Sequence, residues 1–228
     1  MIKLYHILYF FARCDNIGVI INNLLDNSME IAIFQIIVLI FSAIFHEYMH
    51  GWMANELGDS TAKDAGRLTM NPLSHIDPVG SVLLPAVLVM TGSPFVFGWA
   101  KPVPFNPYNL SDKKYGAAKV AIAGPLGNLM IAIFFGLVLR FFPIASMAMV
   151  SFMQLIVYIN LLLMVFNLVP IPPMDGSKVL MPFLPYNWQV KYASLERYGM
   201  MLVLFFVMFG FQLIIPVIEF LFKLIVGI

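Results

Sequence analysis

The chain has 228 residues, of which 61% are hydrophobic and only 11% charged, and its mean hydropathy is +0.89. A soluble domain carries about 45–50% apolar and about 25% charged residues, so this composition describes an integral membrane protein with most of its mass in lipid. A net charge of +1 offers no basic face to nucleic acid, and the single cysteine, Cys14, excludes an intramolecular disulfide framework and a multi-cysteine zinc site.

In chain order, residues 1–12 are apolar but too short to span, and Lys3 and Arg13 flank them. No small-x-small site follows, so a cleavable signal peptide fits poorly. The asparagine-rich stretch Asp15–Asn27 precedes Met29, an ordinary start for a membrane protein. Residues 1–28 are therefore expected to be an interfacial appendage, or an upstream start that part of the population skips. A first transmembrane helix is expected from about Glu30 to Asn55, followed by a turn-rich polar stretch with a short strand candidate at Gly66–Met70. Residues 81–97 are apolar yet carry Pro85, Gly92 and Pro94, and the three prolines of "FGWAKPVPFNPYNL" exclude a regular helix there. Strong spans return at about Gly116–Phe142 and Met147–Val169, "PIPPMDG" interrupts, and a last hydrophobic stretch covers Met200–Ile228 with a break at Pro216.

These elements predict an all-α polytopic membrane protein. It should have about four to six transmembrane helices, a re-entrant segment and a short β element. The expected organisation is an appendage at 1–28, a core at 29–185 and C-terminal transmembrane segments at 186–228. Fifteen prolines and fifteen glycines imply broken helices, and irregular backbone at membrane depth is viable only inside protein or along a wet cavity.

"FHEYMHGW", residues 45–52, places ionisable groups at the end of an apolar run. In the H-E-x-x-H it contains, His46 and His50 fall on one helix face one turn apart. Two imidazoles so placed can bind one Zn²⁺, and Glu47 beside them can take a proton from water at the metal. A structural histidine packed in a core is the alternative. However, each charge at the bilayer centre costs about 2.5–3.5 kcal/mol, and coordination of a cation offsets that where packing does not. A catalytic zinc takes about three protein ligands and keeps one position open. The third ligand is open among His75 in a polar loop, His6 in the N-terminal segment, and Asp175 directly after a span. Pro170, Pro172 and Pro173 break the helix before Asp175, and Gly176 permits a turn after it.

"HEYMH" together with "NLVPIPPMDG" resembles the site-2 protease family of intramembrane zinc metalloproteases. "AGPLGN" at 123–128 and "GRLTMNPLSHIDPVGS" at 66–81 are similar to its minimal prokaryotic branch, which has no PDZ or CBS domain. The resemblance covers about residues 30–180. It implies one zinc per chain held by His46, His50 and Asp175, with Glu47 as general base. Asn167 matches a position associated with substrate binding or oxyanion stabilisation, and Asn128 is a further candidate for the same role, expected to bond a backbone group near the site. Gly124 and Gly127 are expected to serve helix packing. The implied partners are the lipid bilayer and a transmembrane protein or peptide substrate; oligomeric state is not legible.

For the two motifs to share a metal, an even number of crossings must separate them. The spans at 116–142 and 147–169 supply two, so 81–97 is expected to dip into the membrane and return. Lys63, Arg67, Lys101, Lys113, Lys114, Lys119, Lys178, Lys191 and Arg197 lie on the motif side, which by the positive-inside rule puts the site near the cytoplasmic face of the plasma membrane. The competing readings are a non-proteolytic membrane zinc protein, such as an ion transporter or lipid hydrolase, and an inactive substrate-binding homologue.

Overall fold

The computed structural model describes residues 29–83, 87, 90, 91 and 101–227. Among these the regular elements are helical: α1 (Met29–Glu56), α2 (Thr61–Asp64), α3 (Gly116–Phe141), α4 (Met147–Asn167), α5 (Asp175–Leu180), α6 (Tyr186–Ser194), α7 (Gly199–Phe205) and α8 (Ile215–Val226), with short 3-10 and π turns between several of them. Among the described residues, four stretches are long and apolar enough to cross a membrane: Ile33–Glu56, Gly116–Phe141, Met147–Asn167 and Tyr186–Leu213. The fourth begins earlier than the sequence suggests, because α6 and its following turn lead into α7. Pro216 starts α8 rather than breaking a longer helix; at the first turn its missing N–H removes no helical bond.

The expected β element is not found, since no strand occurs among the described residues and Gly66–Met70 is turn and bend. Gly66 adopts φ +64° and closes α2, with its N–H on Lys63 O (3.0 Å) and the Arg67 N–H on Ala62 O (2.8 Å). That is a helix stop with glycine in the left-handed position, not the start of a pleated segment. Appendage 1–28 and most of 81–97, including the expected dip, lie outside the described residues.

The chain divides into two compact units, one built from residues up to Phe41 and Asn71–Pro102, the other from Ser42–Met70 and Val103–Ile228. Residues 186–227 share a unit with 103–185. In the first unit, Asn71 Oδ1 accepts the Leu73 N–H (3.1 Å) to start a 3-10 turn at Pro72–His75, and the Lys101 N–H donates to His75 O (2.9 Å).

In the second unit, α1 ends as α2 does. Gly58 at φ +98° lets its own N–H reach Asn55 O (3.0 Å) and the Asp59 N–H reach Ala54 O (2.9 Å), closing the last carbonyls of the helix. α3 starts where Asp112 Oδ1 accepts the N–H groups of Lys114 (3.1 Å) and Tyr115 (2.9 Å). Its buried face is mostly small, with Ala118, Ala121, Ala123, Gly124, Gly127, Ala132 and Gly136, and α4, α5 and α8 pack against it. Small residues let helix backbones approach closely where lipid offers no hydrophobic drive. The opposite face presents Leu126, Met130, Ile133, Phe134, Leu137 and Phe141 outward, a stripe suited to lipid. α8 buries Ile215, Ile218, Phe222 and Val226 on one helical stripe, with Phe222 edge-on to Tyr158 of α4 (centroids 6.3 Å).

Candidate functional site

His46 and His50 project from one face of α1, their rings edge-to-face with centroids 4.6 Å apart. Asp175 arrives from the first residue of α5. Its Oδ2 stands 3.0 Å from His46 Nε2 and 3.2 Å from His50 Nε2, and the two Nε2 atoms are 3.0 Å apart. Among the described residues these three are the group of potential metal donors that converges. Among the described residues, two helices long and apolar enough to cross a membrane, α3 and α4, lie between the histidines and Asp175 in the chain.

The outer ring nitrogens decide what the inner ones can do. His46 Nδ1 meets Asn128 Oδ1 at 2.6 Å, and His50 Nδ1 meets the Val120 carbonyl at 2.7 Å. Both partners only accept, so each Nδ1 carries the proton and each neutral imidazole turns an Nε2 lone pair inward. Two lone pairs and a carboxylate oxygen therefore face one another at 3.0–3.2 Å, an arrangement that repels itself unless a cation joins it. A tetrahedral ion with bonds of about 2.0–2.1 Å needs donors roughly 3.3 Å apart. The donor set fits zinc in type, number and spacing.

Asn128 is fully buried and faces His46 rather than any open surface. Its Nδ2 donates to the Ser42 carbonyl (3.1 Å) and to Asn160 Oδ1 (3.0 Å), which turns its oxygen to His46. Asn160 is held by its own Nδ2 on Ile156 O (2.8 Å). The sequence reading missed Asn160. Its signal was a lone amide in the apolar run "VYINLLL", where an unbonded polar group is costly. Asn167, by contrast, turns back on its own helix, Nδ2 donating to Leu163 O at 2.8 Å.

Two glycines make room for the cluster by lacking a Cβ. At Gly124 a Cβ would stand 2.7 Å from His46 Nε2, 2.5 Å from His50 Cε1, and against His50 Nε2; its neighbour Gly127 faces Met49 and Phe45, as packing alone requires. At Gly176 a Cβ would meet the Leu168 carbonyl and come 2.7 Å from Val169 O. The turn after Asp175 thus depends on close backbone approach rather than on a left-handed φ. Glu47, half-buried on the turn between the histidines, accepts the Val103 N–H on Oε2 at 2.9 Å. His75 is buried in the other compact unit and is not in the cluster; His6 lies outside the described residues.

An apolar helical protein that gathers two neutral imidazoles and a carboxylate beside a glutamate on one helix turn defines a class, membrane proteins with a hydrolytic type of metal site. The sequence profile of peptidase family M50 matches residues 142–210, which include Asp175. The chain is 35% identical over 196 residues to "Putative zinc metalloprotease YwhC" of Bacillus subtilis, covering 82% of this chain and 86% of that protein. A share of that size cannot leave out either the His46–His50 turn or Asp175. It is 32% identical over 181 residues to MJ0611 of Methanocaldococcus jannaschii, similarly named, covering 76% of this chain and 84% of that protein. With Rip2 of Mycolicibacterium smegmatis the identity is 29% over 165 residues, 72% of this chain and 62% of that protein. No solved structure matches the chain. The chain belongs to peptidase family M50, the site-2 proteases, and is a zinc metalloendopeptidase.

Proposed function

We propose that the protein hydrolyses peptide bonds in or near the transmembrane segments of membrane-anchored substrates. One zinc per chain would be held by His46 Nε2, His50 Nε2 and Asp175, with Glu47 as the general base. The observation that carries this reading is the convergence of three donors within 3.2 Å at the end of a membrane-spanning helix, with a carboxylate on the same turn. The chemistry a bound zinc supplies there is Lewis acidity, toward a peptide carbonyl and toward water whose pKa falls to about 7.

The chain's own residues supply the rest. Glu47 Oε2 is engaged by the Val103 N–H, which leaves Oε1 to take a proton from the attacking water. Glu47 then passes that proton to the leaving amine. Asn128 and the Val120 carbonyl keep both imidazoles in the tautomer that presents Nε2. A substrate helix hides its carbonyls in hydrogen bonds, so it must unwind locally, and residues that break helices near the scissile bond favour cleavage. The basic residues on the motif side support, by the positive-inside rule, a site near the cytoplasmic face of a prokaryotic plasma membrane.

The test is Glu47→Gln in detergent-purified protein. Hydrolysis of a transmembrane peptide should fall by about 10²–10⁴-fold, with zinc retained near one per chain. Cleavage unaffected by the substitution, or wild type that takes up no zinc when it is resupplied, would overturn the reading.

A further inference from the structure

Asp59 is a carboxylate with no place in the chemistry above, yet it is fully buried. It is the third residue beyond α1, whose closure needs only backbone bonds from Gly58 and Asp59. Ending the helix therefore does not explain a charge. Its Oδ1 accepts the Thr61 N–H (3.2 Å), the Thr61 hydroxyl (2.5 Å) and Asn109 Nδ2 (2.9 Å), and its Oδ2 accepts the Asn106 N–H (2.5 Å). Two of these four donors come from the non-helical segment that leads into α3.

That same segment delivers the Val103 N–H to Glu47 (2.9 Å), and the Ser111 N–H to Leu57 O (2.8 Å). It is stiff, because Pro102, Pro104 and Pro107 fix φ and supply no N–H of their own. It is also tightly seated: a Cβ at Gly51 of α1 would come 2.8 Å from Val103 Cγ1, and Leu110 is buried against Ala54 and Val120. Asn106 and Val103 are three positions apart, at most roughly 11 Å of chain, so a shift at the Asp59 anchor is felt at Glu47. Both anchors ride on one helix, with Glu47 within α1 and Asp59 just past its end.

We infer that Asp59 is a positioning residue for peptide hydrolysis: it clamps residues 103–109 to the end of α1 so that the Val103 N–H meets Glu47 and aims its carboxylate. The inference rests on Glu47 as the base of the proposed reaction. Asp59 touches neither metal nor substrate and acts only through the segment.

The experiment is a double-mutant cycle on the full chain in detergent, with Asp59→Ala, Val103→Pro and the pair. The probe is a leucine–alanine transmembrane peptide with a central Asn-Gly-Ser break and a quenched fluorophore. Each single variant should keep zinc near one per chain and lose about 10–100-fold in kcat, the scale of a misplaced catalytic group, with KM little changed. The pair should be no slower than the slower single within about twofold, because both remove one interaction. Losses that multiply in the pair, or an Asp59→Ala enzyme with wild-type kcat, would overturn the inference. A second arm reads the clamp without turnover. In Asp59→Asn, amide exchange at Val103 and Asn106 should quicken at least tenfold while α3 and α4 exchange as in wild type; unchanged exchange would overturn the clamp. Zinc-loaded wild type that leaves the peptide uncut counts against the proposed substrate class, and the exchange arm still decides the clamp.

Discussion

His46 Nδ1 donates to Asn128 Oδ1 across 2.6 Å, joining α1 to α3 behind the metal cluster. The Asn128 amide cannot turn over, because its Nδ2 is held by both Ser42 O and Asn160 Oδ1, so the bond fixes a tautomer as well as a ring position. Partners of this kind are worth about 10–100-fold in metal affinity. Asn128→Leu should therefore raise the zinc dissociation constant by about that factor. Asn160→Leu should raise it less, since Ser42 O still orients the amide. Competition with a zinc chelator in detergent measures both, and equal affinity in wild type and Asn128→Leu would remove the orienting role.

Asp175 joins the histidines from 129 positions along the chain. Asp175→Ala leaves two neutral imidazoles, one ligand short of the usual three at a catalytic zinc. Zinc per chain after dialysis should drop from near one to a small fraction, with the helical content unchanged by circular dichroism. Full zinc retention in the variant would send the search for a third ligand elsewhere.

Gly124 and Gly127 look alike in "AGPLGN" but face different things. A methyl at 124 would occupy the space of the two imidazoles, whereas one at 127 would press on Met49 Cγ at 2.6 Å. Gly124→Ala should abolish zinc binding. Gly127→Ala should keep the metal and lose about 1–3 kcal/mol of stability through overpacking. Zinc titration beside thermal unfolding separates the two, and a zinc-loaded Gly124→Ala protein would contradict the crowding described here.

Asp59 also predicts an acid response. Burial raises its pKa, but the Thr61 hydroxyl, the Asn106 N–H and Asn109 together bring it below the ordinary carboxylate value. A group depressed on folding stabilises the native state fully above its unfolded pKa, about 3.9, and that stability is lost as pH falls through the lower folded value. Asp59→Asn replaces an acceptor oxygen by a donor facing donors, at about 1–3 kcal/mol near neutral pH. Below about pH 4 the gap between variant and wild type should narrow. Thermal unfolding from pH 7 to pH 3 checks this, and a constant gap would show that the charge of Asp59 contributes nothing.

The residues themselves determined the membrane class, the positions of three long spans and the pairing of His46 with His50. Each of these depends on local quantities: apolar run length, proline placement, and a four-residue spacing that a helix turns into proximity. The same local reading offered a strand candidate at Gly66–Met70, where the structure needs Gly66 in the left-handed position to end α2. It also assigned Gly124 to packing, since a small residue shows that something comes close and not what. Only the tertiary structure could bring Asp175, rather than His6 or His75, against the two Nε2 atoms. That proximity depends on how α3 and α4 pack and where they return the chain, a property of helix faces meeting in three dimensions. The Asn128–Asn160 pair and the Asp59 clamp are tertiary for the same reason: each is a buried polar group whose partners lie tens of residues away, and single-residue spacing carries no record of them.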